Sequence, residues 1–190
     1  MFFRTWNFNY TTRDVIWLAA LGLVAGAVNT GLSLFWDAPT ANQWPLVGAI
    51  AQGAFSWAYL LAFYLVRKPG SALIVGVLET SVQVLLEGPL GPHTLGWGLM
   101  QGAAVELLFA LNSYRNSSVW LLLLAGAVAT QARTLWTIFL LGWDPAFASQ
   151  YWLTTPINLL SGALFSGLLS YGVGRGLLQA GLTQSPTPLP

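Results

Sequence analysis

Across 190 residues the sequence contains no cysteine, one histidine (His93) and one lysine (Lys68), and charged residues make up only 7% of it. Without cysteine there is no disulfide, no thiolate metal site and no cysteine nucleophile; the compartment stays open, because oxidised and reduced proteins alike can lack the residue. A lone histidine excludes a His-based zincin motif, no serine stands in a GxSxG elbow, and Lys68 lies in no GxxxxGK[ST] phosphate loop. Intramembrane catalysis and ATP hydrolysis by such a loop are therefore not expected, and neither is a cofactor. The net charge of +1 and the absence of a Lys/Arg cluster leave no nucleic-acid footprint.

What remains is apolar. Hydrophobic residues make up 55% of the chain, whereas a soluble domain is about 25% charged. The composition is that of an integral membrane protein. Apolar runs between Gly, Pro and charged punctuation predict six transmembrane helices, near 14–36, 45–66, 70–87, 95–113, 118–141 and 153–176. The fold class is all-α and polytopic: one domain over 1–182, followed by a polar, Pro-rich tail over 183–190 that is expected to be disordered. The first run follows Arg4 and Arg13 as a signal peptide would, but it is too long for one and reads as an uncleaved span in contact with membrane lipid. Arg4, Arg13, Arg67, Lys68, Arg115 and Arg175 fall on one side, with Asp37, Glu87 and Asp144 on the other, so both termini are expected in the cytoplasm.

Each run carries one side-chain amide, Asn29, Gln52, Gln83, Gln101, Gln131 and Asn158, in the same half of the membrane. Amides in hydrocarbon lose hydrogen bonds, so they turn to each other or to a wet site. The other half is mostly Leu, Val, Ala and Gly, a plug beneath a cup. Glu79 falls near the bilayer centre with Gln83 and Glu87 at i+4 and i+8 on its face. A carboxylate there costs about 2.5–3.5 kcal/mol on insertion scales, which makes Glu79 the first candidate binding residue; the structural alternative is an ion pair with Arg133, the one basic residue inside a run. Trp97 and Gln101 share a face one turn apart. Glu106 lies about 140° around the same helix from Gln101, and either pairs with Arg133, braces a neighbouring helix or joins the site. His93, in the outer loop, contacts a ligand or is simply solvated. The tryptophans of the outer loops, Trp36 and Trp143 among them, read either as an interfacial belt or as part of Pro-stiffened lids. In the last run Asn158, Gly162, Ser166, Ser170 and Gly174 recur every four residues, a small-residue row suited to internal helix packing.

The stretch Arg67-Lys68-Pro69-Gly70-Ser71-Ala72-Leu73, Glu79 beyond it, and Gln101 through Ala110 up to Tyr114 resemble the YkoE family, with the likeness running over about residues 10–178. That family comprises substrate-binding S components of energy-coupling-factor transporters linked to thiamine or its hydroxymethylpyrimidine precursor. The resemblance implies six helices, cytoplasmic termini, an outward pocket in a prokaryotic cell membrane, and as partners a transmembrane coupling subunit and cytoplasmic ATPase subunits. By the same analogy Ala19, Gly22 and Gly26 of the first helix would dock the coupling subunit. Glu79 and Gln83 would read the aminopyrimidine, and Trp97, with Trp36 or Trp143, would stack on a ring, the cationic thiazolium favouring thiamine. Arg133 equally suits an anionic group, which keeps another vitamin open. A membrane scaffold that binds no solute and, less well supported, a channel are the readings from other classes.

Overall fold

Residues 8–40, 45–86, 91–114, 117–141 and 145–181 are described by a computed structural model, with side chains outside the description at 35–40, 45 and 140–152. Among the described residues there are helices and no strands. Helix α1 (Thr12–Thr40) opens on a capping box: Thr11 Oγ1 and backbone N–H both donate to Asp14 Oδ2 at 2.8 Å, and the Asp14 N–H returns to Thr11 Oγ1 at 3.3 Å. The second apolar run is one element in the sequence but two in space. Helix α2 (Pro45–Gln52) gives way to a 3₁₀ turn at Gly53–Phe55 before α3 (Trp57–Val66) resumes. Eight of the ten residues of α3 are buried, which makes this helix, apolar but for its two tyrosine hydroxyls, the central post. It ends at Arg67, whose φ of 48° and N–H bond to Phe63 O at 2.8 Å form a left-handed cap.

Helix α4 (Ser71–Leu85) is the sharpest departure from the six-span expectation. It has 15 residues, about 22 Å at 1.5 Å per residue, against a hydrocarbon core of about 30 Å. Among the described residues five helical stretches are long and apolar enough to cross a membrane, and α4 is a shorter apolar helix packed between α1 and α5. Helix α5 (Thr94–Leu111) follows a 3₁₀ turn at Gly91–His93, and α6 (Val119–Leu141) packs beside it. The last run is again composite: α7 (Pro145–Ser161) contains Pro156, a π-helical turn spans Gly162–Leu168, and α8 (Leu169–Gln179) completes the crossing. Proline has no N–H to give the ladder and its ring crowds the turn before it, so the helix is weakened on the N-terminal side of Pro156.

The small-residue row of the last run is internal packing. Ser166 Oγ donates to Gly53 O at 2.5 Å, Ser170 Oγ to Trp57 O at 2.8 Å, Ser161 Oγ to Ile50 O, and Gly162 lies against the backbone of Gly126. These serines stitch the last crossing to the broken second one. Beneath the polar residues the core is apolar: Phe63 and Phe109 stack at 3.5 Å and 9°, with Val75, Val105, Leu60 and Leu122 fully buried. Outward, Leu23, Leu107, Leu111, Trp120, Leu124 and Phe139 are all exposed. An apolar belt of that extent is stable in lipid and a liability in water.

Candidate functional site

The site forms where α1, the break in the second span, α4, α5 and α6 converge. Glu79 is 1% exposed, and its carboxylate is met by donors from three directions. Asn29 Nδ2 reaches Oε1 at 2.8 Å; Gln83 Nε2, one turn along α4, donates to the same oxygen; Tyr59 OH donates to Oε2. Charge-assisted bonds of this kind are what allow an acid to be held at this depth. Asn29 also donates to Phe55 O at 2.9 Å, so the break in the second span supplies the acceptor that fixes its orientation. With Nδ2 doubly engaged, Asn29 Oδ1 is left buried without a hydrogen-bond partner, and so is Asn158 Oδ1. An orphaned acceptor beside a carboxylate, with a second in the polar group of Thr134, calls for a ligand that brings N–H groups.

The facing wall is aromatic. Trp97 is 5% exposed and donates from Nε1 to Thr137 Oγ1 at 3.0 Å. Gln101 donates to Trp97 O at 3.3 Å and accepts from Ser56 Oγ at 2.6 Å. Between these walls lies Arg133, buried, with its guanidinium carbon 4.1 Å from the Trp97 ring centroid and 4.2 Å from that of Phe55. It also stands within electrostatic reach of Glu79 and Tyr59. A third polar group joins α2, α6 and α7: Thr134 Oγ1 donates to Gln52 Oε1 at 2.9 Å and accepts from Asn158 Nδ2 at 3.3 Å. An apolar crevice of about 190 Å³ lined by Leu32, Ile50, Ala51, Ala54, Phe55 and Phe165 lies beside Phe55 and holds none of this chemistry.

The structure thus brings together Glu79, Gln83, Trp97, Gln101 and Arg133, with Asn158 in the adjoining group. It sets Glu106 apart. That carboxylate accepts from the Gly70 N–H at 2.6 Å, the Ala72 N–H at 3.2 Å and Tyr114 OH at 2.6 Å, so it caps the N-terminus of α4 instead of lining the pocket. Its two oxygens are committed there, which corrects its place among the ligand-binding candidates. His93 is exposed, and its backbone carbonyl accepts from Trp136 Nε1 at 3.2 Å; the imidazole stands outside the polar group. Gly22 and Gly26 are a second correction. Both are buried against α4, where a Cβ on Gly26 would meet Val82 Cβ at 2.5 Å and Glu79 O at 2.8 Å, so they serve the α1–α4 approach and are not free to dock a partner; Ala19 beside them is half-buried. The Trp36 and Trp143 side chains lie outside the described residues, as does the tail over 183–190.

Sequence reasoning missed Tyr59, Phe55, Ser56 and Thr134. Tyr59 sits in an apolar run beside Tyr64 and nothing local distinguishes the two. Thr130, Thr134 and Thr137 form a hydroxyl stripe around Arg133 at helical spacing, a signal that was available.

Three comparisons bear on this arrangement. Residues 13–132 match the family described as ABC-type cobalt transport system, permease component. The chain is 25% identical over 174 residues to YkoE of Bacillus subtilis, a protein named as an HMP/thiamine permease, covering 92% of this chain and 87% of that protein. A solved structure described as an S-component of an ECF transporter superposes with a TM-score of 0.83 at 25% identity, over 92% of this chain and 88% of the other.

Proposed function

The chain belongs to the family of permease components of ABC-type cobalt transport systems, and from that membership we propose that it is the substrate-capture S component of an energy-coupling-factor importer. Its substrate is thiamine or the hydroxymethylpyrimidine precursor, held in the prokaryotic cell membrane for ATP-driven uptake. A transmembrane coupling subunit and cytoplasmic ATPase subunits supply the energy, which accords with a sequence that has no phosphate loop of its own.

The observation that carries this reading is the buried acceptor set: the Glu79 carboxylate with Asn29 Oδ1 and Asn158 Oδ1 lacking partners. An aminopyrimidine offers an exocyclic amine beside a ring nitrogen. The amine satisfies Glu79 or an orphaned amide oxygen, and Gln83 and Tyr59 are the donors on hand for the ring nitrogen. Trp97 supplies the flat face. The polar groups bond one another, so a ligand would exchange these hydrogen bonds for its own, and specificity falls on groups that a wrong ligand would leave unpaired.

Cobalt, which the family description names, fits these residues poorly. Among the described residues no group of three His, Cys, Asp or Glu stands together, and Glu79 is ringed by side chains that act as donors to it. A scaffold reading loses its main support, because the glycine and serine stripes are spent on internal packing.

Titrating the detergent-solubilised protein with thiamine and separately with hydroxymethylpyrimidine, by tryptophan fluorescence and calorimetry, tests the proposal. Saturable submicromolar binding of either supports it. A folded protein that binds neither removes the pyrimidine reading.

A further inference from the structure

Two arginines stand close together at the end of the bundle where α3 and α8 stop. Arg67 is half-buried at the left-handed cap of α3. Its Nη2 donates to Ser117 Oγ, its guanidinium carbon lies 6.0 Å from the Tyr64 ring centroid, and its Nε is buried without a hydrogen-bond partner. Arg175, in α8, is exposed, and both arginines are within electrostatic reach of the Tyr64 phenol. Gly174 lets α8 lie flat on that ring: a Cβ there would meet Tyr64 Cδ1 at 2.3 Å. Among the described residues neither arginine meets a carboxylate. Asp14 is taken by Lys68, and Glu106 by the start of α4. The stretches that adjoin this end in the chain, 1–7, 115–116 and 182–190, contain no Asp or Glu and add Arg4 and Arg115. Asp37, Glu87 and Asp144 belong by sequence to the opposite ends of α1, α4 and α6.

An apolar groove leads to the same place. Leu164, Phe165, Leu168, Leu169, Gly172 and Val173 line an open trough of about 530 Å³ on the outside of the last crossing. It follows the π-helical turn into α8 for about 14 Å, close to the ~15 Å hydrocarbon depth of one leaflet. Gly172 is its notch, since a Cβ there would meet nothing within 4 Å. Arg175 comes one turn after Gly172 and two turns after Leu168, so it stands at the end of the same stripe. We propose that the trough and the arginine pair form a binding site for an anionic glycerophospholipid, with the phosphate held by Arg67 and Arg175 and one acyl chain laid in the groove. The orphaned Arg67 N–H gains an acceptor, and the planar guanidinium fork matches phosphate oxygens. This site lies apart from Glu79 and does not depend on what is captured there.

The full chain in an uncharged detergent is titrated with phosphatidylglycerol and with phosphatidylcholine of the same acyl chains, and bound lipid is counted by native mass spectrometry. Wild type is expected to hold phosphatidylglycerol about tenfold more tightly. Arg175→Gln, at an exposed position, should lower that preference about threefold or more, and the double variant Arg67→Gln/Arg175→Gln should abolish it. Gly172→Trp fills the groove with both charges kept and should weaken phosphatidylglycerol about threefold or more. Folding is checked by size-exclusion profile and melting temperature; if the double variant does not fold, Arg175→Gln and Gly172→Trp carry the test. Equal retention of the two lipids by folded wild type overturns the proposal. Displacement of phosphatidylglycerol by inorganic phosphate at equal concentration, with Gly172→Trp indistinguishable from wild type, makes this a soluble-anion site and overturns it as well. An unchanged lipid preference in Arg175→Gln also overturns it, and if that variant then fails to assemble with a coupling subunit, the arginines belong to a protein partner.

Discussion

Among the described residues Glu79 and Glu106 are the carboxylates embedded between helices, and their surroundings assign them different work. Glu79 is held by side chains, from Asn29, Tyr59 and Gln83, whereas Glu106 is held mainly by backbone N–H groups at the start of α4. Side-chain partners can re-pair with a ligand; a helix terminus cannot. Glu79→Gln is therefore expected to weaken thiamine binding about 10- to 100-fold, the loss of one charged hydrogen bond, with the fold retained. Glu106→Gln should change affinity less than about threefold while lowering stability by about 1–3 kcal/mol, read as a drop in melting temperature. The opposite pattern would exclude Glu79 as the pyrimidine-reading group. Tyr59→Phe leaves one Glu79 oxygen short of its donor and should destabilise the unliganded protein by a similar amount. Glu79, Gln83, Trp97 and Gln101 were legible because charge and amide in hydrocarbon are conspicuous at helical spacing. Tyr59 was not, since a phenol in an apolar run looks the same whether it packs or donates.

Helices were legible as runs and illegible as breaks. The stretch 45–66 carries no proline inside it and a single interior pair of glycines, Gly48 and Gly53, so its hydropathy reads as one span. The 3₁₀ turn at Gly53–Phe55 arises from outside the run, where Ser166 and Asn29 take carbonyls at the turn as acceptors. Gly53 is required there for room: a Cβ would collide with Ser161. Likewise α4 reads as a span by composition, and only its length in space shows that it is shorter than the others. Ser166→Ala should lower stability by about 1 kcal/mol through loss of the bond to Gly53 O, measurable as a shifted thermal midpoint. Gly26→Val forces α1 away from α4 at Glu79 and is expected to cost about 1–3 kcal/mol together with ligand affinity.

The seam at the far end of α4 behaves differently. Tyr10 OH donates to Pro69 O at 2.6 Å, Lys68 Nζ meets Asp14 at 2.5 Å, and Tyr114 donates to Glu106. Burial first, then the negative charges of Glu106 and Asp14, push the Tyr10 phenol from 10.0 up to about 12. The folded protein thus holds this proton more tightly than the unfolded chain. Its stabilising effect is complete below pH 10 and fades as pH rises toward 12. Thermal melts across that window should fall more steeply for wild type than for Tyr10→Phe; equal slopes would show that the seam does not depend on this proton.

At the scale of the whole molecule, polarity is graded along the bundle. The amides, Glu79 and Arg133 gather at one level, and below them the Phe63–Phe109 stack and fully buried aliphatic residues close the body. Among the described residues no chain of polar side chains leads down through that packing, so these helices offer a solute at Glu79 no wet path. On the proposed S-component reading, release to the other side is expected to come from the subunit turning as a body against a coupling partner. Because the chain has no cysteine, paired cysteines introduced below Glu79 between α4 and α5 would be its only thiols. Coupled uptake should survive their cross-linking, whereas loss of uptake with assembly intact would mean that the helices part to release solute.

The discontinuity at Gly53–Ser56 bears on how this protein responds to selection for heat resistance. A second span with an unbroken ladder would be the more stable helix, and optimisation of melting temperature would favour Ala or Leu across these positions. Yet Phe55 O is the acceptor that turns Asn29 toward Glu79, and Ser56 is the donor to Gln101. Straightening the helix would remove both, so thermostabilised variants screened without ligand are expected to accumulate changes at this turn and to lose recognition as they gain robustness.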